Sequence, residues 1–331
     1  MFATLVYKVL NASEKRVDMR YLVKKAGALL FALFFISLLA FLAFQVIPGD
    51  PTTKMLGSEY TPERAQALRE ELGLNENALI RYFKWLGGFV TGDFGTSYSY
   101  NMPVARLLSG KITTTALLSA LAFCITALIS IPGGLMLARH EGGVTDRVMV
   151  VVNQIMMSVP SLFISIIFTS VFGLGMKLFI VGKFTSLADG PWEFFKCIIF
   201  PALAIALPKS AMTIKLLRSS ILAEMDKDYV RTAYSRGNDL KQLLRNHVLR
   251  NAIMPVITFL AMTLSDIVAG SIIIEQVFTI PGLGRLLLLS ISNRDFPVVL
   301  TIVMMISTLV VGANFLADVA YQYIDPRVRL K

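Results

Sequence analysis

Two cysteines, Cys124 and Cys197, and two histidines, His140 and His247, are all that this 331-residue chain offers as thiolate or imidazole ligands. Both cysteines fall inside apolar runs, which excludes a disulfide framework and leaves packing as their role. The histidines lie far apart in polar segments, and no spacing of His, Cys, Asp or Glu resembles a zinc or two-metal centre. No metal site is expected, and no nucleophile and base constellation marks a membrane-embedded enzyme, so no catalytic residue is expected either. Charge is equally scarce: 16% of residues are Asp, Glu, Lys or Arg while 55% are hydrophobic. Soluble domains carry about 25% charged residues, so the composition excludes one soluble domain and identifies a membrane protein.

What charge there is favours one sign. A net charge of +10 would suit phosphate binding, but its distribution excludes a nucleic-acid partner. Apolar segments long enough to cross a bilayer occur at 26–47, 113–138, 148–176, 194–214, 253–280 and 297–320. The fourth is interrupted by Pro201, Pro208 and Lys209, which membrane helices tolerate when neighbours satisfy the freed carbonyls. With six spans both termini share one face, made of residues 1–25, 139–147, 215–252 and 321–331, with 19 Lys and Arg against 9 Asp and Glu. The opposite face has 12 against 10. The positive-inside rule makes the first face cytoplasmic, so the basic excess reports topology in a lipid bilayer.

The first apolar run is too long for a signal-peptide h-region and no small-x-small site precedes "VIPGDP", so 26–47 is expected to remain as the first span. Residues 1–18 read as an added preface, because "MRYLVKKAG" from Met19 would make a plausible start. Residues 48–112 form an extracytoplasmic helical lid. Within it "TPERAQALREELGL" reads as a helix with Thr61 as N-cap, Pro62 in the first turn and Gly73 at the end. A second lid helix is expected to present Leu79, Tyr82, Phe83 and Leu86 on one apolar face. The remaining core spans 113–320, followed by a cytoplasmic tail at 321–331.

Two fragments mimic nucleotide sites. "ARLLSGKIT" has Ala105 where a phosphate loop needs Gly and Ile112 where it needs Ser or Thr. "GDFG" at Gly92–Gly95 lacks the accompanying kinase loops. The chain is therefore expected to have no ATPase site of its own. The cytoplasmic loop 218–252 is different: Leu240, Leu243, Leu244, His247 and Val248 recur at helical spacing, and Tyr229, Val230, Ala233 and Tyr234 make a shorter stripe before Gly237. Such a helix–turn–helix fits either an interfacial pair anchored to anionic lipid or a docking surface for a partner protein.

"YVRTAYSRG" followed by "LLRNHVLRNAIMP" resembles the EAA loop of ABC importer permeases of the peptide and nickel branch. "FQVIPGDP", "ELGL", "GDFGTSY", "GSIIIEQVFTIPGLGRLLLLSISNRDFP" and "YIDPRVR" are similar to the same family in the same order, from Met19 to Lys331. The resemblance implies an all-α polytopic inner-membrane protein with six transmembrane helices and the type I importer permease fold. It places Arg231, Thr232 and Ala233 at the EAA triplet, Gly237 at its glycine and Pro255 at its closing proline. Arg231 in place of the acid, and 17 residues between Gly237 and Pro255, depart from the general motif toward the peptide branch. Tyr229, Val230, Tyr234, Leu240 and Leu244 complete the coupling interface that it implies for a separate ATPase subunit.

The implied partners are a homologous second permease, two cytoplasmic ABC ATPases that use ATP and Mg, and an extracytoplasmic solute-binding protein; no cofactor is implied on this chain. The implied cargo is a di- or oligopeptide, with nickel, a metallophore complex or glutathione as alternatives. A self-contained secondary transporter or channel would need charge relays and usually an internal repeat, and neither is clear. Ionisable groups in lipid mark function by default, although polar groups there also form structural helix-to-helix hydrogen bonds. The candidates are Asn153, Gln154, Asp266, Glu275, Asn314 and Asp318. Asn153, Asp266 and Glu275, with Pro281, Gly282 and Gly284 of "IPGLG", form the expected path or gate.

Overall fold

The computed structural model describes residues 19–46 and 50–324. The expected preface, residues 325–331 of the tail and the side chain of Asp318 lie outside what it describes. The described residues form helices and short turns without a named strand. In order these are α1 (Met19–Val46), α2 (Pro51–Leu56), α3 (Pro62–Glu71), α4 (Ala78–Thr91), α5 (Val104–Leu108), α6 (Lys111–Arg139), α7 (Val144–Ser158) and α8 (Ser161–Phe168). There follow α9 (Pro191–Met225), α10 (Asp228–Ser235), α11 (Leu240–Leu243), α12 (Leu249–Ala252), α13 (Met254–Val277), α14 (Leu283–Asn293) and α15 (Phe296–Ile324).

Among the described residues α1, α6, α9, α13 and α15 are each long and apolar enough to cross a membrane. The third expected span, 148–176, is not one helix. It is α7 followed by α8 and a π-type turn at Thr169–Gly175, with a bend of 96° between the two halves. Pro160 explains the break: it lacks an N–H, and it holds Val159 in an extended conformation with φ −87° and ψ 118°. The fourth span, doubtful for its prolines, is the unbroken 35-residue α9 with Pro201 and Pro208 inside it.

α9 is the axis of the bundle. Half of its most apolar stretch is buried, against 11% for α1, which leaves α1 peripheral. Ala202, Ala204, Ala206 and Ala211 let neighbouring backbones approach it closely, the device by which membrane helices gain packing contacts. Near its C-terminal end, Leu217 and Ile221 pack with Val230, Leu243, Val248 and Val256. Near its N-terminal end, Ile198 and Ile205 pack with Leu118, Ile267, Ile274 and Phe278. A third cluster, around Leu108, Leu283, Leu287, Val299 and Ile302, lies under the lid.

The lid is fastened by polar contacts. Asp50 accepts from the Thr52 amide at 2.9 Å and from Arg69 Nε at 2.8 Å, so one carboxylate caps α2 and holds α3. Thr61 Oγ1 accepts from the Arg64 amide at 3.3 Å, as an N-cap should. α4 turns only part of its expected face inward. Tyr82 is buried, with its hydroxyl 2.7 Å from Ser37 Oγ, whereas Leu79 and Phe83 are exposed. The inward side instead runs through Tyr82 and Trp85, whose rings lie 5.4 and 6.3 Å from Phe41.

Asp295 joins the lid to the last span. It is fully buried and accepts from Ser97 Oγ, from the Tyr98 amide at 3.0 Å and from the Ser99 amide at 3.1 Å. A buried carboxylate is tolerated when its lone pairs are filled in this way. Asp295→Ala strands a hydroxyl and two amides, and the expected loss is about 3 kcal/mol, measurable as a lower Tm and faster proteolysis around 97–100. Asp50 supplies a pH-dependent fastening: burial raises its pKa, but hydrogen bonds from Thr52 and Arg69 outweigh this and hold it below the usual aspartate value. A depressed folded-state pKa contributes stability at neutral pH that is lost as pH falls through the carboxylate range. Lid protection in hydrogen exchange should therefore weaken on acidification, and Asp50→Asn should flatten that response.

Candidate functional site

The loop 218–252 folds onto the end of the bundle. In α10, Val230 and Ala233 are three residues apart and both are buried, at 3% and 6% exposure, against Leu217, Ile221, Leu243 and Val248. The other side of α10 carries Tyr229, Arg231, Thr232 and Tyr234, all exposed, with Tyr234 at 66%. The apolar stripe expected to meet a partner is thus largely occupied by the protein's own core: Val230, Ala233 and Leu244 face inward. The reason is length. An eight-residue helix held by turns at both ends cannot stand off a membrane bundle without burying its apolar side.

Tyr229 locks the entry to this segment. Its hydroxyl donates to Glu224 Oε1 at 3.0 Å and accepts from Asn251 Nδ2 at 3.1 Å, while Glu224 also pairs with Lys227. At the exit, Gly237 takes φ 86°, a conformation glycine adopts at little cost, and its amide donates to the Tyr234 carbonyl at 2.9 Å. Asn238 Nδ2 closes the helix by donating to the Ala233 carbonyl at 2.9 Å. The next stripe is re-registered by a π-type turn at Leu244–Val248, so Leu243, Leu244 and Val248 point inward while Leu240 and His247 are exposed. Pro255 follows in the first turn of α13.

A contact that sequence reasoning missed braces the same end. Arg218 of α9 grips Asp146 of α7 in a two-point fork, at 3.0 and 2.8 Å, and Asp146 also accepts from the Gly142 amide at 3.1 Å. The two lie 72 residues apart, and nothing in either local pattern signals the pairing.

The expected path residues do not form one cluster. Glu275, Gly282 and Gly284 do meet, with Pro281 in the intervening turn. Glu275 has no exposed surface, and its Oε1 accepts from Thr115 Oγ1 at 2.6 Å. Its Oε2 accepts from the Gly284 and Arg285 amides at 2.7 and 3.2 Å. Thr115 Oγ1 in turn accepts from the Leu283 amide at 2.9 Å. The carboxylate thus sits at the N-terminus of the eleven-residue α14, where unpaired amides and the helix dipole favour an anion. It ties α6, α13 and α14 into one knot and has no exposed surface of its own. Thr279, at φ 56°, makes the turn before it, held by Arg285 Nη1 donating to its carbonyl at 2.7 Å.

Asp266 and Asn153 stand elsewhere. Asp266 is nine residues along α13 from Glu275 and is exposed, with Lys209 Nζ at 2.7 Å. Asn153 Nδ2 donates to the Ala211 carbonyl at 2.8 Å, which is a helix-to-helix tie between α7 and α9. Asn314 plays the same part, accepting from Ser265 Oγ at 3.0 Å. Lys209 entered the sequence reading only as an interruption, and Thr115 had no signal at all.

Residues 130–330 match the family described as binding-protein-dependent transport system inner membrane component, and residues 18–119 match its N-terminal counterpart. A probable peptide ABC transporter permease of Sinorhizobium fredii is 32% identical over 93% of this chain and 99% of its own. An oligopeptide transport system permease of Bacillus subtilis is also 32% identical, over 93% and 98%. A nickel import system permease of Staphylococcus aureus is 31% identical over 92% and 90%.

The knot at Glu275 makes a graded prediction. Glu275→Gln keeps one carbonyl acceptor for the two amides and should cost about 1–2 kcal/mol. Glu275→Ala strands them and should cost about twice that. In Gly284→Ala the new Cβ would lie 2.3 Å from Ile272 Cα, a backbone clash with nowhere to relax. Thermal unfolding of the detergent-purified protein should rank them wild type, Gln, then Ala, with Gly284→Ala also below wild type.

Proposed function

The chain belongs to the family of inner-membrane components of binding-protein-dependent transport systems, and from that premise we propose how it works as a permease subunit of an ATP-driven ABC importer for peptides. The observation behind the cargo is similarity over nine-tenths of the chain to peptide transport permeases. The nickel import relative supports a second reading, in which the cargo is nickel or a metallophore complex. The protein is a multi-pass membrane protein with ABC transporter partners.

The finer reading names those partners and their contacts. A homologous permease completes the path, a solute-binding protein delivers at the lid end, and two ATPase subunits that consume Mg and ATP act at the end bearing α10, which faces the cytoplasm. No reaction is assigned to this chain and no cofactor resides on it. The exposed side chains of α10, Tyr229, Arg231, Thr232 and Tyr234 with Leu240 after Gly237, form the surface that an ATPase grips. Val230, Ala233 and Leu244 convert that grip into movement, because they are packed against Leu217 and Ile221 of the bundle axis. A push on α10 therefore reaches α9 through a continuous packed core. Near the lid, the turn from Thr279 to Gly284 acts as an outer gate element, hinged on Glu275.

Arg231→Glu with Tyr234→Ala changes only exposed side chains, so membrane insertion and Tm should stay near wild type. ATP-driven uptake by the reconstituted complex should fall at least about tenfold, because interface energy concentrates in a few aromatic and Arg side chains. Unchanged uptake would contradict the assignment.

A further inference from the structure

Asp266 lies twelve residues from the start of α13 and eleven from its end, and Lys209 lies near the middle of α9. Their side chains meet at 2.7 Å, midway along two helices long and apolar enough to cross a membrane, yet the Asp266 side chain is 65% exposed and that of Lys209 26%. Charges within such helices face a bundle interior, a partner or a water-filled cavity. The exposed residues of α13 continue the direction: Met262, Asp266, Ala269, Ile273 and Gln276 fall on one helical stripe that turns away from the protein's own core. Three of these five are apolar, but Asp266 and Gln276 put a carboxylate and an amide on the stripe, so it is not the uniformly apolar face that lipid requires.

We infer that the Lys209–Asp266 pair lines the translocation path and reads the free amino and carboxyl termini of a peptide. The inference rests on the importer reading above and deepens it by naming a contact with the cargo. A lone charge on the path would hold an oppositely charged solute and slow its release, since conduction needs binding that is weak enough to leave. A pair avoids this. Between cargoes each charge neutralises the other; when a zwitterionic peptide arrives, its carboxylate takes Lys209 and its ammonium takes Asp266. One ion pair is exchanged for two, and departure of the peptide restores the first. No bond is made or broken, and the pair is intact again for the next cycle.

The test uses the complete complex in proteoliposomes, with its ATPases and binding protein. It compares uptake of one tripeptide with free termini against the same tripeptide acetylated and amidated. The same binding protein delivers both in every arm, so a changed ratio between variants reports the permease. Lys209→Met with Asp266→Asn removes both charges together and leaves neither unpaired. The ratio of free to blocked peptide uptake should fall about tenfold, the equivalent of one charge-assisted hydrogen bond. An unchanged ratio overturns the inference.

A second measurement decides the case should that variant fail to assemble. Ala269→Cys, in a background lacking Cys124 and Cys197, should react with a membrane-impermeant charged thiol reagent. The free tripeptide should slow labelling during turnover, and the blocked one should not. Labelling only by a lipid-soluble reagent, or equal protection by both peptides, overturns the inference. Absence of ATP-driven uptake of any peptide by the wild-type complex would count instead against peptide import itself.

Discussion

Away from water, a charge must find its partner inside the protein, and this requirement organises the bundle. Glu275 is the sharpest case: a carboxylate with no exposed surface, supplied with a hydroxyl and two helix-terminal amides. Asp295 repeats the solution at the lid, and the Asp146–Arg218 fork repeats it at the far end. Each joins segments distant in sequence that apolar packing alone would bring together loosely. Hydrophobic matching puts the helices side by side, and these carboxylates set which residues meet.

The same requirement separates two kinds of ionisable residue that look alike in the sequence. Glu275 is sealed and holds α14 in place; Asp266, nine residues earlier, faces outward with a single cation beside it. The first has a mechanical role. The second is the residue that we propose meets the cargo. α10 shows a similar division around one short helix, with Val230 and Ala233 held by the core and Arg231 and Tyr234 exposed.

Much of this was legible in the residues. The long apolar runs located the spans because a bilayer sets a minimum helix length, and Gly237 marked a turn because its left-handed backbone suits glycine. The bend at Pro160 was not read, since the apolar run continues through it unchanged and hydropathy is blind to a lost amide. The inward direction of the α10 stripe was missed for another reason: periodicity says which residues share a face and not what that face meets. Thr115 and Arg218 were invisible because their partners lie 160 and 72 residues away, and only the packing of α9 and its neighbours brings them together.

The central claim is that force enters through the outer face of α10 while its inner face transmits it to α9. Site-directed cross-linking from that face tests it most directly, with single cysteines at Tyr234 and, as an inward control, at Val230, in the assembled complex with Cys124 and Cys197 replaced. The account predicts a cross-link from position 234 to an ATPase subunit, altered in yield by ATP, and none from position 230. A cross-link to the ATPase from 230 but not 234, or labelling of 234 only by lipid-borne reagents, would contradict it.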